Sequence, residues 1–96
     1  MSEIVVLQSA EKDWFELYRR LGEPFDRAFS STVQLIAMNP QIGPTWRIAP
    51  FRRRLITGYP VGIFYSLVGK RVVISAVIDL RQDASSIDVQ LRRLQP

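Results

Sequence analysis

Residues 51–65 read FRRRLITGYPVGIFY, three consecutive arginines followed by a Tyr-Pro pair and an almost wholly apolar run. The pattern predicts two β-strands, over 51–57 and Val61–Val68, joined by a tight turn. Because neighbouring residues of a strand project to opposite faces, at least one arginine should lean toward a sheet face that helices cover. An arginine there is costly unless it is paired or lines a cleft, so this stretch is the first candidate for a functional site.

Two amphipathic helices are predicted before the arginine strand. Apolar residues recur at helical spacing over 10–21 and again over 25–37. Ser9 is the predicted N-cap of the first helix, and Gly22 is its predicted C-cap. Since only a short connection separates the two helices, they are expected to pack as an antiparallel hairpin.

Three further runs have the character of strands. Residues 3–7 are rich in β-branched side chains, and residues 46–49 form a short run that ends near Pro50. Residues 71–80 follow Val61–Val68 after a Gly-Lys turn. Both of these last runs are nearly continuous apolar sequence, which is typical of central strands buried on both faces.

The predicted order of elements is β-α-α-β-β-β-β, and apolar residues at helical spacing over 85–94 are compatible with a short C-terminal helix. Sequential strands joined by short turns form an antiparallel meander, and the helical hairpin must cover one of its faces. The predicted fold is therefore α+β in two layers, with the hairpin packed on a mainly antiparallel sheet. At 96 residues the chain is expected to form a single domain over 1–96.

Charge is divided unevenly along the chain. The formal net charge is +4, from 13 Lys+Arg against 9 Asp+Glu. Residues 1–45 carry four basic and six acidic side chains, whereas residues 46–96 carry nine basic and three acidic ones, a balance of +6. The second half is therefore expected to form a basic surface that attracts nucleic acid or an acidic protein.

Two residue types that often carry chemistry are missing. The chain has no cysteine and no histidine, which excludes disulfides, thiol nucleophiles, thiolate metal sites and the commonest general acid–base. No metal site and no cofactor is expected. No apolar run approaches the roughly 20 residues that span a bilayer, and the acidic start lacks the features of a signal peptide. A cytoplasmic location without membrane contact is therefore expected.

Four motifs stand in a characteristic order. They are Ser9-Ala10 opening the first helix, Asn39-Pro40 closing the second, Arg52-Arg53 followed by Tyr59-Pro60 and Tyr65, and the run AVIDLRQD over 76–83. In this order and spacing the chain resembles, over nearly its whole length, the RelE/ParE toxin superfamily of bacterial type II toxin–antitoxin modules. It departs from the family pattern at Asp79, Gln82 and Ala84, where histidine, a second arginine and proline are common among relatives.

The resemblance implies a toxin that is neutralised by a cognate antitoxin, a small acidic protein encoded next to it, in a hetero-oligomeric complex. RelE-like members cut messenger RNA in the ribosomal decoding site, whereas ParE-like members inhibit DNA gyrase. The Arg-Arg…Tyr-Pro…Tyr pattern resembles the ParE branch, the plasmid stabilisation proteins, and favours a gyrase inhibitor. The alternatives are a ribosome-dependent mRNA endonuclease and a non-toxic binding module of the same fold.

The residues expected to bind the target or the antitoxin are five arginines and one tyrosine: Arg47, Arg52, Arg53, Arg54, Tyr59 and Arg81. Tyr65 and Asp79 are expected to support them, and no catalytic residue is assigned. RNA cleavage needs a base and an acid, yet no tyrosine follows Tyr65 and arginine stays protonated. The alternative interpretations are solvated strand arginines, core or edge tyrosines, and Asp79 as an ion-pair partner of Arg81.

Overall fold

The computed structural model describes residues 1–96. Its strands are β1 (Glu3–Val6), β2 (Arg52–Leu55), β3 (Val61–Val68) and β4 (Arg71–Asp79). Its helices are α1 (Gln8–Leu21), α2 (Glu23–Met38) and α3 (Ala84–Arg93). The predicted α+β class is confirmed, and so are the helical hairpin and the short C-terminal helix. None of the three helices has the length and apolar character needed to cross a membrane.

The hairpin connection between α1 and α2 is a single glycine. Gly22 has a φ of 75°, and its N–H donates to the Tyr18 carbonyl at 2.8 Å. A positive φ is easy only for glycine, so Gly22 ends α1 as the sequence predicts. Pro24 then stands in the first turn of α2, where a residue without an N–H leaves no helical hydrogen bond unmade.

The four strands form one mixed sheet in the order β1-β4-β3-β2. β2, β3 and β4 form an antiparallel meander, while β1 pairs parallel to β4. The sheet is therefore mainly antiparallel, as predicted, with β3 and β4 as its largely buried central strands. The arginine strand β2 lies at one edge of the sheet, opposite β1.

Two hydrophobic cores lie on opposite faces of the sheet, and they are named here by the helices that cover them. The hairpin-side core joins α1 and α2 to alternate residues of the central strands, including Ile63, Tyr65, Val72 and Ile74. The α3-side core joins α3 to the intervening residues, including Phe64, Ala76 and Ile78. The hairpin covers one face as predicted, and α3 adds a partial third layer on the other. The helical stripe of α3 shows which side of the helix is buried but not which sheet face it meets.

Residues 46–49 are not a strand, in contrast to the prediction. The only ladder contact near them is an isolated bridge between Thr45 and Arg52. The segment closes on itself instead, because the Trp46 N–H donates to the Phe51 carbonyl at 2.8 Å and the Phe51 N–H donates to the Ile48 carbonyl at 3.1 Å. The observed order is therefore β-α-α-β-β-β-α, one strand fewer than predicted.

A β-bulge in β4 explains the position of Ser9. Phe64 pairs with Ala76 and Tyr65 pairs with Ile74, so Ser75 has no partner across the ladder. The Ser9 hydroxyl donates to the Ser75 carbonyl at 2.7 Å. Ser9 is thus a support for the bulge rather than the predicted N-cap of α1, which begins at Gln8.

Candidate functional site

The arginines of β2 divide between the two faces of the sheet. Arg52 pairs across the ladder with Tyr65 and Arg54 with Ile63, both members of the hairpin-side core. Arg53 pairs with Phe64, which belongs to the α3-side core. Because paired residues project to the same face, Arg52 and Arg54 lie on the hairpin side and Arg53 lies on the α3 side. The expectation that at least one arginine faces a helix-covered side is confirmed.

Arg53 belongs to a group that we call the α3-face cluster: Trp46, Arg47, Arg53 and Asp88. The guanidinium carbons of Arg47 and Arg53 lie 4.4 and 4.8 Å from the centroid of the Trp46 ring. Both distances are within the range of cation–π attraction. The indole is itself held edge-on against Phe64, with centroids 5.4 Å apart at 85°. The cluster therefore presents two cations on an aromatic platform that is anchored in the core.

Gly62 lets Arg53 lie flat against the sheet. A Cβ at position 62 would stand 3.1 Å from Cγ and 3.2 Å from Cδ of Arg53. The missing side chain thus leaves the space through which the arginine stem passes on its way to Trp46. A glycine inside an apolar strand is a signal of such a close approach.

Asp88 connects α3 to the cluster. Its carboxylate accepts a hydrogen bond from Arg47 Nε at 2.9 Å and one from the Trp46 indole N–H at 3.3 Å. Arg47 remains 49% exposed while Asp88 is only 20% exposed. Arg53 forms neither an ion pair nor a side-chain hydrogen bond, so it is the cation of the cluster that is open to an incoming anion.

Arg52 and Tyr65 fix the loop after α2 to the sheet. Arg52 Nη1 donates to the Gly43 carbonyl at 2.8 Å. The fully buried Tyr65 donates its hydroxyl proton to the Pro40 carbonyl at 2.8 Å and accepts from the Gly43 N–H at 2.9 Å. Burial raises the pKa of the Tyr65 hydroxyl above its usual range, against the smaller opposing effects of the Gly43 N–H and of the charges of Arg52 and Arg54. Tyr65 is a structural residue in this arrangement.

Tyr59 is also a packing residue, at the margin of the hairpin-side core. Its ring meets Phe25 of α2 edge-on, with centroids 5.3 Å apart at 85°. It stands in the turn between β2 and β3, which it attaches to the hairpin-side core. A half-buried ring in this position stabilises the turn.

Arg81 lies apart from the α3-face cluster. It pairs with Asp79 through Nη2 at 2.7 Å and Nε at 3.1 Å, while its own N–H donates to the same carboxylate at 3.0 Å. These hydrogen bonds lower the pKa of Asp79 to about 2. Asp79 faces a groove shared with α1, where Asp13, Glu16 and Arg20 also stand. The interpretation of Asp79 as the partner of Arg81 is confirmed, but the structure does not bring Arg81 and Arg53 together.

Three contributors to these arrangements are absent from the predicted site. Sequence alone does not assign Trp46, Asp88 or Gly62 to the site. The glycine inside an apolar strand is the signal for Gly62 and the Trp-Arg pair at 46–47 is the signal for Trp46, while no sequence pattern indicates Asp88. No three His, Cys, Asp or Glu side chains lie together as metal ligands would. The chemistry that the α3-face cluster offers is the binding of anionic groups.

Comparison with known proteins gives one family and one fold. Residues 4–84 match the model of the family described as ParE toxin of type II toxin-antitoxin system, parDE. No curated protein matches the chain. The chain belongs to the ParE toxin family of type II toxin–antitoxin systems, whose members pair with cognate antitoxins.

Solved toxin structures share the fold at low sequence identity. The isolated E. coli RelE toxin aligns with a TM-score of 0.69 and 13% identity, over 99% of this chain and 100% of that one. A copper-bound mutant toxin from Helicobacter pylori aligns with a TM-score of 0.66 and 15% identity, over 82% and 94%. The chromosomal ParDE toxin–antitoxin system from P. aeruginosa aligns with a TM-score of 0.60 and 17% identity, over 83% and 97%.

Proposed function

We propose that this chain acts by binding, as a ParE-like inhibitor of DNA gyrase, and that the α3-face cluster carries the contact. The observation that carries the proposal is the make-up of the cluster. Two guanidiniums lie over one indole, and the single carboxylate nearby is already held by Arg47. Guanidiniums in such a setting bind carboxylates and phosphates through paired, charge-assisted hydrogen bonds.

The same cluster is poorly equipped for proton transfer. It contains no histidine and no tyrosine, and arginine does not release its proton near neutral pH. Asp79, in the position where relatives often carry histidine, has its pKa lowered to about 2 and is therefore a weak base. These features favour a toxin that binds its target over one that cleaves RNA.

The partner that we propose is a cognate antitoxin encoded next to this gene, in a hetero-oligomeric complex in the cytoplasm. The balance of +6 over residues 46–96 favours an acidic protein as that partner. Of the residues predicted from sequence, Arg47 and Arg53 are proposed to face the target. Arg52, Tyr59 and Tyr65 are proposed to hold the surfaces in shape.

A ribosome-dependent mRNA endonuclease is the second candidate. The observation in its favour is the alignment with RelE, which extends over 99% of this chain. The ribosome could supply groups that the chain lacks. The third candidate, a non-toxic binding module, has no structural feature in its favour.

The experiment that separates these functions tests the two targets of the chain, gyrase with purified protein and mRNA in cells after induction. We expect purified gyrase to lose supercoiling activity on relaxed plasmid in the presence of the wild-type chain, and mRNA from induced cells to show no codon-dependent cleavage by primer extension. Arg53→Met should lose the effect on gyrase. Arg92→Met, the same loss of charge at an exposed position in the last turn of α3, is the matched control. Intact gyrase activity together with cleaved mRNA would replace this proposal with the endonuclease.

A further inference from the structure

Arg54 holds an unused hydrogen-bond donor. Its Nε is shielded from solvent and has no hydrogen-bond partner in the protein, the only buried side-chain nitrogen or oxygen of which this is true. Buried polar groups almost always form hydrogen bonds, because a buried donor without an acceptor costs free energy. Arg52, two residues earlier on the same face, donates instead to the Gly43 carbonyl at 2.8 Å. The two arginines of the hairpin side therefore differ: one is satisfied within the chain and one is not.

The edge of the sheet is open beside Arg54. The outer side of β2 is covered at its start, where Arg52 bridges to Thr45 and the Arg53 N–H donates to the Pro44 carbonyl at 3.0 Å. This cover ends before Arg54, and the next residue, Leu55, is 50% exposed. Arg54 as a whole is partly exposed, but its Nε is covered by the protein, so a partner that pairs with Nε must displace the groups that cover it.

We infer that Arg54 is a carboxylate-binding site for the antitoxin, and that the two faces of one strand serve two different partners. A carboxylate from an Asp or Glu side chain would displace the groups that cover Nε and bind Arg54 side-on, accepting from Nε and from one terminal nitrogen. This planar pairing suits a side-chain carboxylate of an acidic protein, in agreement with the basic balance of residues 46–96. Arg53, on the opposite face, remains directed to the target. The inference rests on the proposed function, because it needs an antitoxin.

The free chain gives the first test. If Nε has no partner, then Arg54→Met, which keeps the buried stem and removes the donor, leaves the melting temperature unchanged or raises it. Arg52→Met should lower the melting temperature, because it frees the Gly43 carbonyl. A fall on Arg54→Met as large as that on Arg52→Met would show that Arg54 is a structural residue, and the inference would fail.

The complex gives the second test, with the protein encoded by the adjacent reading frame as the probe. We expect Arg54→Met to raise the Kd for this protein by about tenfold to a hundredfold. Arg54→Lys should recover only part of the affinity, because lysine keeps the charge but loses Nε. Arg92→Met is the matched control for charge, and Arg53→Met is the control for the opposite face. Both should stay within about threefold of wild type, the scatter expected of exposed charges.

The outcomes separate the inference from the proposed function. If the adjacent protein binds and relieves growth arrest but Arg54→Met binds like Arg92→Met, the inference fails and the proposed function stands. If Arg53→Met weakens the complex as much as Arg54→Met, the division between faces fails. If the adjacent protein neither binds nor protects cells, the inference fails together with the proposed antitoxin partner, whereas the proposed target stands or falls with the gyrase assay.

Discussion

The two faces of the arginine strand hold the same residue type in different ways. On the hairpin side, Arg52 is bound to a loop carbonyl, and Tyr65 lies fully buried with its hydroxyl between Pro40 and Gly43. On the α3 side, the guanidinium of Arg53 lies over Trp46 and forms no hydrogen bond to the protein. Hydrogen bonds to the backbone fix an arginine in place, whereas an aromatic platform positions its guanidinium and leaves the donors free. The comparison indicates that Arg52 and Tyr65 maintain structure on the hairpin side, whereas Arg53 presents its charge on the α3 side.

The largest effect on stability should come from Gly43→Ala, on the hairpin side. The new Cβ would stand 2.7 Å from both the Arg53 carbonyl oxygen, which is part of the β2 backbone, and the Tyr65 hydroxyl, which hydrogen bonds hold between Pro40 and Gly43. We expect the free energy of unfolding in urea to fall by about 3 kcal/mol, the upper part of the usual range for overpacking. A loss below about 1 kcal/mol would show that this side is not rigid.

Asp88→Ala should have a smaller effect, centred on the α3 side. The change removes the acceptor of Arg47 and Trp46 and one link between α3 and the cluster. We expect the free energy of unfolding to fall by about 1 kcal/mol, because an ion pair with an exposed partner such as Arg47 contributes little to stability. The loss should shrink in 1 M salt, which screens the interaction. A loss that is independent of salt would assign Asp88 a packing role instead.

Gly62→Ala should separate stability from activity. The new Cβ meets only the flexible stem of Arg53 and the tip of Leu80, so the stability change should be below about 1 kcal/mol. The displaced Arg53 should nevertheless leave Trp46, and toxicity should fall. Growth arrest after induction measures toxicity, and urea denaturation of the purified variant measures stability. Full toxicity would mean that the flat position of Arg53 is not required.

The smallest effect should come from Asp79→Asn. Hydrogen bonds from Arg81 hold the folded-state pKa of Asp79 at about 2, below the unfolded value of 3.8. The stabilisation is therefore present above pH 4 and is lost as pH falls through about 2. Because Arg81 is 71% exposed, the difference between variant and wild type should be small near neutral pH and vanish once the pH is well below 2. A difference that does not decrease as the pH falls through 2 would contradict the ion-pair account.

The sequence predicts local structure well and the arrangement of its parts less well. Helical spacing locates both helices of the hairpin, and alternation shows that the β2 arginines must divide between faces. It does not show which face α3 covers, because the stripe of Ile87 and Leu91 would suit either. Residues 46–49 alternate like a strand, yet Trp46 and Ile48 form their backbone hydrogen bonds with Phe51, which local sequence pattern does not predict.

The candidate site could be predicted only in its residue types. The sequence predicts that the arginines of β2 belong to the site. It does not predict that Arg52 is hydrogen-bonded while Nε of Arg54 is not, because this difference depends on loop carbonyls that contact Arg52 only. The predicted site also includes Arg81 with the β2 arginines. In the structure β3 lies between β2 and β4, and Arg81 pairs with Asp79 instead of joining the α3-face cluster.

The most direct test of the account measures growth arrest for Arg53→Lys and Asp79→Asn at matched protein levels. Lysine keeps the charge of Arg53 but loses the planar fork that pairs with carboxylates and phosphates. We expect Arg53→Lys to lose most of its toxicity, while Asp79→Asn and the exposed control Arg92→Lys retain it. Arrest that survives Arg53→Lys and disappears with Asp79→Asn would contradict the claim that this toxin acts through the arginine on the α3 side rather than through proton transfer.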